Sequence, residues 1–355
     1  MRNIVIIGGG AAGLSAAAAL AGEARVTLLE AEDALSYHSS GRSAAAFVPG
    51  YGNRLTQALI AAGRGHFENN HLLSPRGMML LAKAGEDATF EAEMAADTMT
   101  EITVEAALDM VPILNRDAVA RVAVQKDVYD IDTDALLQGF TKCARANGAQ
   151  IVTKARVTDI ARDAYGWRVT AGEIYRADVI INAAGAWASE IAAMAGAQDI
   201  EITPNQRSVA RVPAPEGYDV SGWPFLMGVD EQWYAKADAG AMIVSPAEEE
   251  PVPAGDAWAE DMVLAEGIAR YEEMVTAQVS RMLSNWAGLR SFAPDRTFVL
   301  GADATMPSFI WCAGQGGNGI QTSPAAGRLI ADVVLGRPPE IGTEIADALS
   351  PARFT

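Results

Sequence analysis

Apolar and polar positions along the chain fall into blocks that read as strands and helices in alternation. Residues 3–7 (NIVII) form a short β-branched run of strand character. Residues 14–21 are rich in alanine and leucine, which favours helix, and residues 25–30 (RVTLLE) read as a second strand. Leu55, Leu59 and Phe67 fall at helical spacing and predict a surface helix over 55–67. Residues 78–81 (MMLL) predict a buried strand, and residues 86–121 predict two helices separated at Pro112. Residues 130–134 then introduce a helix over 135–146, with Thr133 or Asp134 as its cap.

Farther along, residues 151–160 and 167–170 are strand-like around a turn at Gly166, and residues 177–181 form another apolar strand that runs into Asn182-Ala183-Ala184-Gly185-Ala186-Trp187. The character changes near Thr203. Residues 207–212, 225–229, 232–236 and 241–245 are short strand candidates separated by Pro and Gly, which predicts an antiparallel sheet. Residues 248–253 (EEEPVP) are a charged loop, either a solvated excursion or a gate over a substrate. Helix is expected over 257–283, then strands over 286–292, 297–300 and 309–313. A glycine loop (314–319) leads into a closing helix over 320–335 that carries Pro324 near its start.

The glycines between the first strand and the first helix add chemistry to that pattern. Gly8, Gly10 and Gly13 make G-x-G-x-x-G in the strand–turn–helix context that the dinucleotide fingerprint requires: a tight turn, a close approach to a pyrophosphate, and close packing of helix on strand. Glu30 ends the next strand, where a carboxylate can hold a ribose hydroxyl. The second glycine loop, feeding the helix near Ile320, is another natural seat for polar ligand atoms. The loop 37–45 (YHSSGRSAA) is either a connector or a lining against a ligand.

Composition narrows the classes. With 355 residues, half of them apolar, the chain supports one large or two interleaved domains. A formal charge of −18 argues against nucleic acid, whose binding rests on clustered Lys and Arg, and against anionic membrane surfaces. Cys143 and Cys312 are too few for a disulfide framework, which fits a reducing compartment, and the three histidines supply a zinc site or a Ser-His-Asp hydrolase poorly. No run of about 18 apolar residues predicts a transmembrane segment. The expected location is cytoplasmic.

Several long blocks carry a family likeness. Residues 38–45 (HSSGRSAA), 72–76 (LLSPR), 130–136 (DIDTDAL), 286–292 (WAGLRSF) and 319–323 (GIQTS), together with the fingerprint, the 182–187 stretch and residues 316–320, resemble the FAD-dependent D-amino acid oxidase and dehydrogenase superfamily. Within it the chain looks most like bacterial FAD-dependent D-arginine dehydrogenase. The resemblance implies an α/β fold: a Rossmann-like FAD-binding domain of glutathione-reductase type with an inserted α+β substrate domain containing a mostly antiparallel sheet. The implied FAD-binding domain is discontinuous (1–75, 130–202 and 285–355), and 76–129 with 203–284 form the substrate domain.

The same likeness implies non-covalent FAD, since no cysteine follows Trp286 where sarcosine oxidases attach the flavin. Gly8, Gly10, Ala11, Ala12 and Gly13 would hold the pyrophosphate, Glu30 the ribose, and Val157 would lie near the adenine. Ser39, Ser40, Arg42, Ser43, Ala44, Ala183, Ala184, Gly185, Trp187 and Gly288 would line the cofactor. Gly316, Gly317, Asn318, Gly319, Ile320 and Gln321 would approach the isoalloxazine. Arg207 and Arg290 fall where the related dehydrogenase binds the substrate carboxylate, which a guanidinium fork matches bidentately. Tyr51 and Tyr234 match tyrosines that close over the substrate, and Gln321 a polar residue near its amine.

The implied reaction is oxidative deamination of a D-amino acid by hydride transfer from the α carbon to flavin N5, giving an imino acid, then a 2-oxo acid and ammonia. The electron acceptor is oxygen, a quinone or another carrier. One departure concerns the side chain: Met78 stands where the arginine enzyme offers a glutamate, and Ala46 and Val48 where it has polar groups, while Phe225 and Met227 thicken an apolar wall. A buried cation without a partner costs several kcal/mol on the order of magnitude of a broken ion pair, so neutral or apolar side chains are expected. Alternatives are oxidation of N-alkyl amino acids, as by glycine and sarcosine oxidases, or of 2-hydroxy acids. A flavoprotein acting on RNA is disfavoured by the acidity, and a redox-silent FAD-binding protein is a further alternative.

Overall fold

The computed structural model describes residues 1–96 and 98–355. Strand β1 (Asn3–Ile7) pairs in parallel with β2 (Arg25–Leu29) on one side and with Val179–Asn182 on the other. The sheet has six strands, in the order Val299–Ala302, Phe309–Ala313, Val179–Asn182, β1, β2 and Gln150–Val152, with the first pair antiparallel and the others parallel. Successive side chains of a strand face opposite sides. Ile4 and Ile6 accordingly join a core with helix α1 (Ala11–Leu20) and the helices Thr133–Ala146 and Gly319–Leu335. Val5 and Ile7 point the other way, into Trp167, Val169 and Ile191. That second layer consists of the antiparallel strands Asp159–Asp163, Gly166–Ala171 and Glu173–Ala177 and the helix Ala188–Ala195. Being covered on both sides, β1 is apolar without alternation.

The second sheet has nine strands and is antiparallel apart from the parallel pairing of Phe225–Gly228 with Met78–Ala82. Its longest strand, Thr203–Pro213, pairs with Ser284–Phe292 over nine residues and also with Ala241–Ser245 and Glu250–Pro251. The strand Ser284–Phe292 thus joins this sheet from across residue 285, where the sequence suggested a boundary. One face of the sheet packs Met79, Leu81, Leu226 and Ala235 with Leu264 and Tyr271 of the helix Asp261–Met274. The opposite face presents Met78, Leu80, Met227 and Tyr234. A short three-stranded sheet (Ala46–Phe47, Tyr129–Ile131, Leu73–Pro75) lies between the two large ones in the chain path.

Several expected elements are corrected. The 86–121 stretch holds helices Asp87–Ala96 and Val104–Met110, but a strand (Thr100–Ile102) separates them and a second one follows (Arg121–Gln125); Asp97 lies outside the described residues. The cap of the helix Thr133–Ala146 is Asp132, whose side chain accepts from Ala135 N, and not Thr133 or Asp134. The helix expected over 257–283 is confined to Asp261–Met274, and the strand expected over 151–160 is split into Gln150–Val152 and Asp159–Asp163. Among the described residues no helix is long and apolar enough to cross a membrane.

Candidate active site

The turn after β1 closes because its glycines let backbones touch. Gly8 adopts φ +111°, and a Cβ there would lie 2.3 Å from Ala183 O; a Cβ on Gly13 would lie 1.9 Å from Gly8 O. Gly10 caps α1 without a side chain, so its first-turn amides remain open to a ligand, apart from Ala11 N, which donates to Ser40 Oγ at 3.0 Å. Glu30 is held by Gly9 N (2.7 Å) and Glu32 N (2.9 Å) at the wall of a cavity that also includes Val157, Ala184 and Trp187. A second cavity continues from it across Gly10, Ser39, Ser40, Ala183 and Gly185, which line both. Ala11, Ala12, Arg42, Ser43, Ala44, Gly288 and residues 316–321 line this second chamber. The two form one trench from the Glu30 end to the second glycine loop. Arg42 lies at its wall, but its guanidinium is spent on the protein: it donates to Ala257 O and Ala287 O (3.0 Å each) and pairs with Asp256.

The far end of the second chamber is built by the nine-stranded sheet. Arg207 opposes Gly288 and Arg290 opposes Asn205 in the register of Thr203–Pro213 with Ser284–Phe292, so the two arginines are diagonal neighbours on one face. Tyr234, opposite Met227, stacks on Phe225 with ring centroids 5.2 Å apart. Met78 opposes Phe225, and Ala46, Val48 and Tyr51 complete the wall. All ten residues expected at a substrate site therefore line the same chamber. Gln321 is among them, with its amide already engaged: Oε1 accepts from Val48 N (2.9 Å) and Nε2 donates to Asn318 Oδ1 (2.7 Å).

The arginines differ in what they touch. Arg207 is buried, and its Nη2 donates to Glu249 Oε1 at 3.2 Å, while its Nε and Nη1 have no hydrogen-bond partner. Burial, and then the Arg290 charge, hold its pKa below the usual guanidinium range. Burial alone would do the same to Arg290, but Tyr51, Tyr234, Glu231 and Glu249 outweigh it and its pKa is raised. Both stay cationic at neutral pH. Burial, and then the Glu231 carboxylate, push the Tyr51 hydroxyl well above the ordinary tyrosine range, so it remains a hydrogen-bond donor. Buried donors without partners are uncommon in folded proteins and point to an acceptor supplied by a ligand.

A family model described as FAD dependent oxidoreductase (DAO) matches residues 3–333. The chain belongs to this family. Hydrogen cyanide synthase subunit HcnC of Pseudomonas aeruginosa is 27% identical over 214 residues, covering 58% of this chain and 49% of that protein. The matched stretch thus spans about half the length of that curated relative. The fold is similar to that of glycine oxidase from Geobacillus kaustophilus (TM-score 0.79, 21% identity, 95% of this chain and 96% of the other). It is also similar to the FAD-bound L-α-glycerophosphate oxidase from Mycoplasma pneumoniae (TM-score 0.85, 19% identity, 94% of each chain). The trench fits the cofactor of this FAD-dependent family on its own terms. Its two glycine loops leave space that side chains would fill, and its length joins an acid-walled end to an open helix terminus.

Two features of this DAO-family site escaped the sequence. Glu231, at the tip of the turn between Phe225–Gly228 and Tyr234–Asp238, lines the chamber with its Oε2 3.7 Å from Arg207 Nη1 and 3.9 Å from Arg290 Nη1. It belongs to no motif; the one available signal was its place in the turn joining two strands that both face the cavity. Lys236, two residues beyond Tyr234 and hence on the same face, is buried and donates to Ala44 O (2.7 Å) and Asp130 Oδ1 (2.8 Å). Asp130 also pairs with Arg76, so both cations are matched behind the wall.

Proposed function

We propose that the protein catalyses FAD-dependent oxidation of amino acids at the α carbon, with D-amino acids bearing neutral or apolar side chains as substrates. The observation that carries this reading is the Arg207–Arg290 pair, which lines a chamber continuous with the cofactor trench and in which Arg207 Nε and Nη1 have no protein partner. A planar carboxylate satisfies such donors bidentately. Tyr51, kept protonated and hydrogen-bonded to Glu231, stands beside the same anion, and Tyr234 lines the clamp from a strand separated from Thr203–Pro213 by Ala241–Ser245. Fixing the carboxylate fixes the pose of the α carbon–hydrogen bond, which converts orientation into rate. When bound in the trench, FAD would supply the two-electron acceptor for oxidation at that carbon; the clamped amine, once it has lost a proton, would leave as an imino acid that water hydrolyses to a 2-oxo acid and ammonia.

Side-chain preference follows from the other wall. Met78 is 3% exposed and packs with Val48, Leu80, Met227 and Tyr234. A cationic substrate tail directed there would lie on an apolar wall, at a cost of several kcal/mol on the order of a buried unpaired charge, while the chamber's acid, Glu231, stands beside the two arginines. The D configuration and the likeness to D-arginine dehydrogenase rest on the matching residues named from the sequence, as does the division into a discontinuous FAD-binding domain and an inserted substrate domain. Non-covalent attachment is supported by Cys312, whose thiol is buried and pushed up to about 12 by that burial.

The deciding experiment is anaerobic mixing of the purified yellow protein with panels of D- and L-amino acids, N-methyl amino acids and 2-hydroxy acids, followed by admission of air. Fast flavin bleaching by D-Leu, D-Met or D-Phe is the expected outcome. Preferential bleaching by D-Arg, by sarcosine or by a hydroxy acid refutes the specificity. Reoxidation by air or only by an added quinone then sorts oxidase from dehydrogenase.

A further inference from the structure

We infer that Glu231 reads the charge next to the substrate carboxylate, so that the site selects an α-ammonium over an α-hydroxyl or an α-hydrogen. The inference rests on the carboxylate clamp proposed above. Among the described residues lining the second chamber, Glu231 is the acid. Its Oε2 is within ion-pair distance of both clamp arginines, yet 3.7 Å from Arg207 Nη1 is too long for a hydrogen bond, and that nitrogen stays unpartnered. Glu249, the other acid at the pair, is already committed: it accepts from Arg207 Nη2 and from Arg296 Nη2 and does not line the chamber. Glu231 is thus a carboxylate that accepts from the Tyr51 hydroxyl but not from either clamp arginine, and it keeps acceptor capacity beside the place where a ligand carboxylate would hydrogen-bond.

An α-amino acid carries its ammonium one carbon from its carboxylate, so a clamped zwitterion brings the cation next to Glu231, where a charge-assisted hydrogen bond forms. A hydroxy acid or a simple acid offers no cation there and adds only an anion facing Glu231. The backbone supports a fixed position for this acid: Asp230 and Glu231 both hold positive φ, +57° and +47°, and Asp230 N donates to Glu93 Oε1 at 2.6 Å.

The test uses three ligands with one carbon skeleton. 2-Aminoisobutyrate and 2-hydroxyisobutyrate lack an α hydrogen and cannot be oxidised there, and isobutyrate has neither amine nor hydroxyl. Each is titrated into the holoenzyme, and the flavin absorbance change gives its Kd. Wild type is expected to bind 2-aminoisobutyrate at least about tenfold more tightly than the other two, the worth of one charge-assisted hydrogen bond. Glu231→Gln is expected to erase that preference while isobutyrate binds more tightly, and Glu231→Asp to restore part of it. Glu231→Ala serves in place of the glutamine variant if the latter loses its FAD. If the neutral variant keeps the wild-type preference, Glu231 does not read the amine and the inference falls while the clamp stands. If none of the three ligands perturbs the wild-type flavin, the clamp itself is refuted and this inference with it.

Discussion

Arg207 and Arg290 lie on one face of a single antiparallel pair, two register positions apart, because Arg207 opposes Gly288 while Arg290 opposes Asn205. A Cβ at residue 288 would meet Arg42 Cβ at 3.5 Å rather than either arginine of the pair. Replacing either arginine by Ala is expected to lower kcat/KM for amino acids on the order of 100-fold, the range for truncating one partner of a buried charged contact. Lysine in its place should recover little of that, since it has no fork. Anaerobic stopped-flow reduction across a range of substrate concentrations measures both effects.

Met78→Glu places a carboxylate on the apolar wall opposite Phe225. The expected outcome is a shift in selectivity toward D-Arg and D-Lys, read as the ratio of kcat/KM for D-Lys to that for D-Leu. A ratio equal to that of wild type would show that the substrate side chain does not reach residue 78.

Gly13→Ala drives a methyl group to within 1.9 Å of Gly8 O, which is backbone and has nowhere to go. The turn must open, at a cost of about 2 kcal/mol or more by analogy with overpacked cores, and the purified variant should hold far less FAD than wild type. Flavin-to-protein absorbance ratio and Tm together check this.

Asp303 is buried and accepts from Trp311 Nε1, Thr305 Oγ1 and the amides of Gln198, Thr305 and Met306. Burial opposes its charge, but these donors outweigh it and its pKa lies below the ordinary aspartate range. The folded form therefore binds this proton less readily than the unfolded chain. The resulting stability is complete above the ordinary aspartate pKa and is lost as pH falls through the depressed folded value. Asp303→Asn should be less stable than wild type by about 2 kcal/mol or more at pH 7, with the gap closing in acid. Urea midpoints measured from neutral pH down to about pH 3, near the ordinary aspartate pKa, test the sign.

What the sequence disclosed depended on how local the cause was. The glycine turn, the alanine helix and the buried strand at Met78 are fixed by near neighbours, so spacing and composition revealed them. Residues 257–283 misled for the same reason: helical composition continues past Met274, but Thr276 N donates to Ile113 O and the chain leaves the helix for a tertiary contact. Asp132 took the cap because its side chain, one residue earlier, reaches Ala135 N. Glu231 was invisible because its neighbours in the chain say nothing about Arg207 or Arg290; only the pairing of Met227 with Tyr234 delivers it there. The substrate wall was legible through the family likeness alone, residue by residue.

Arg42 bridges Tyr37 O, Asp256, Ala257 O and Ala287 O, while the cofactor trench needs residues 8–13 and 316–321 side by side. During synthesis the N-terminal turn emerges first and has to wait, its pocket a half-mould, until Gly319 leaves the ribosome. The cofactor seat is therefore shared between segments far apart in the chain, and a chain truncated before Gly319 would lack the second glycine loop that completes it.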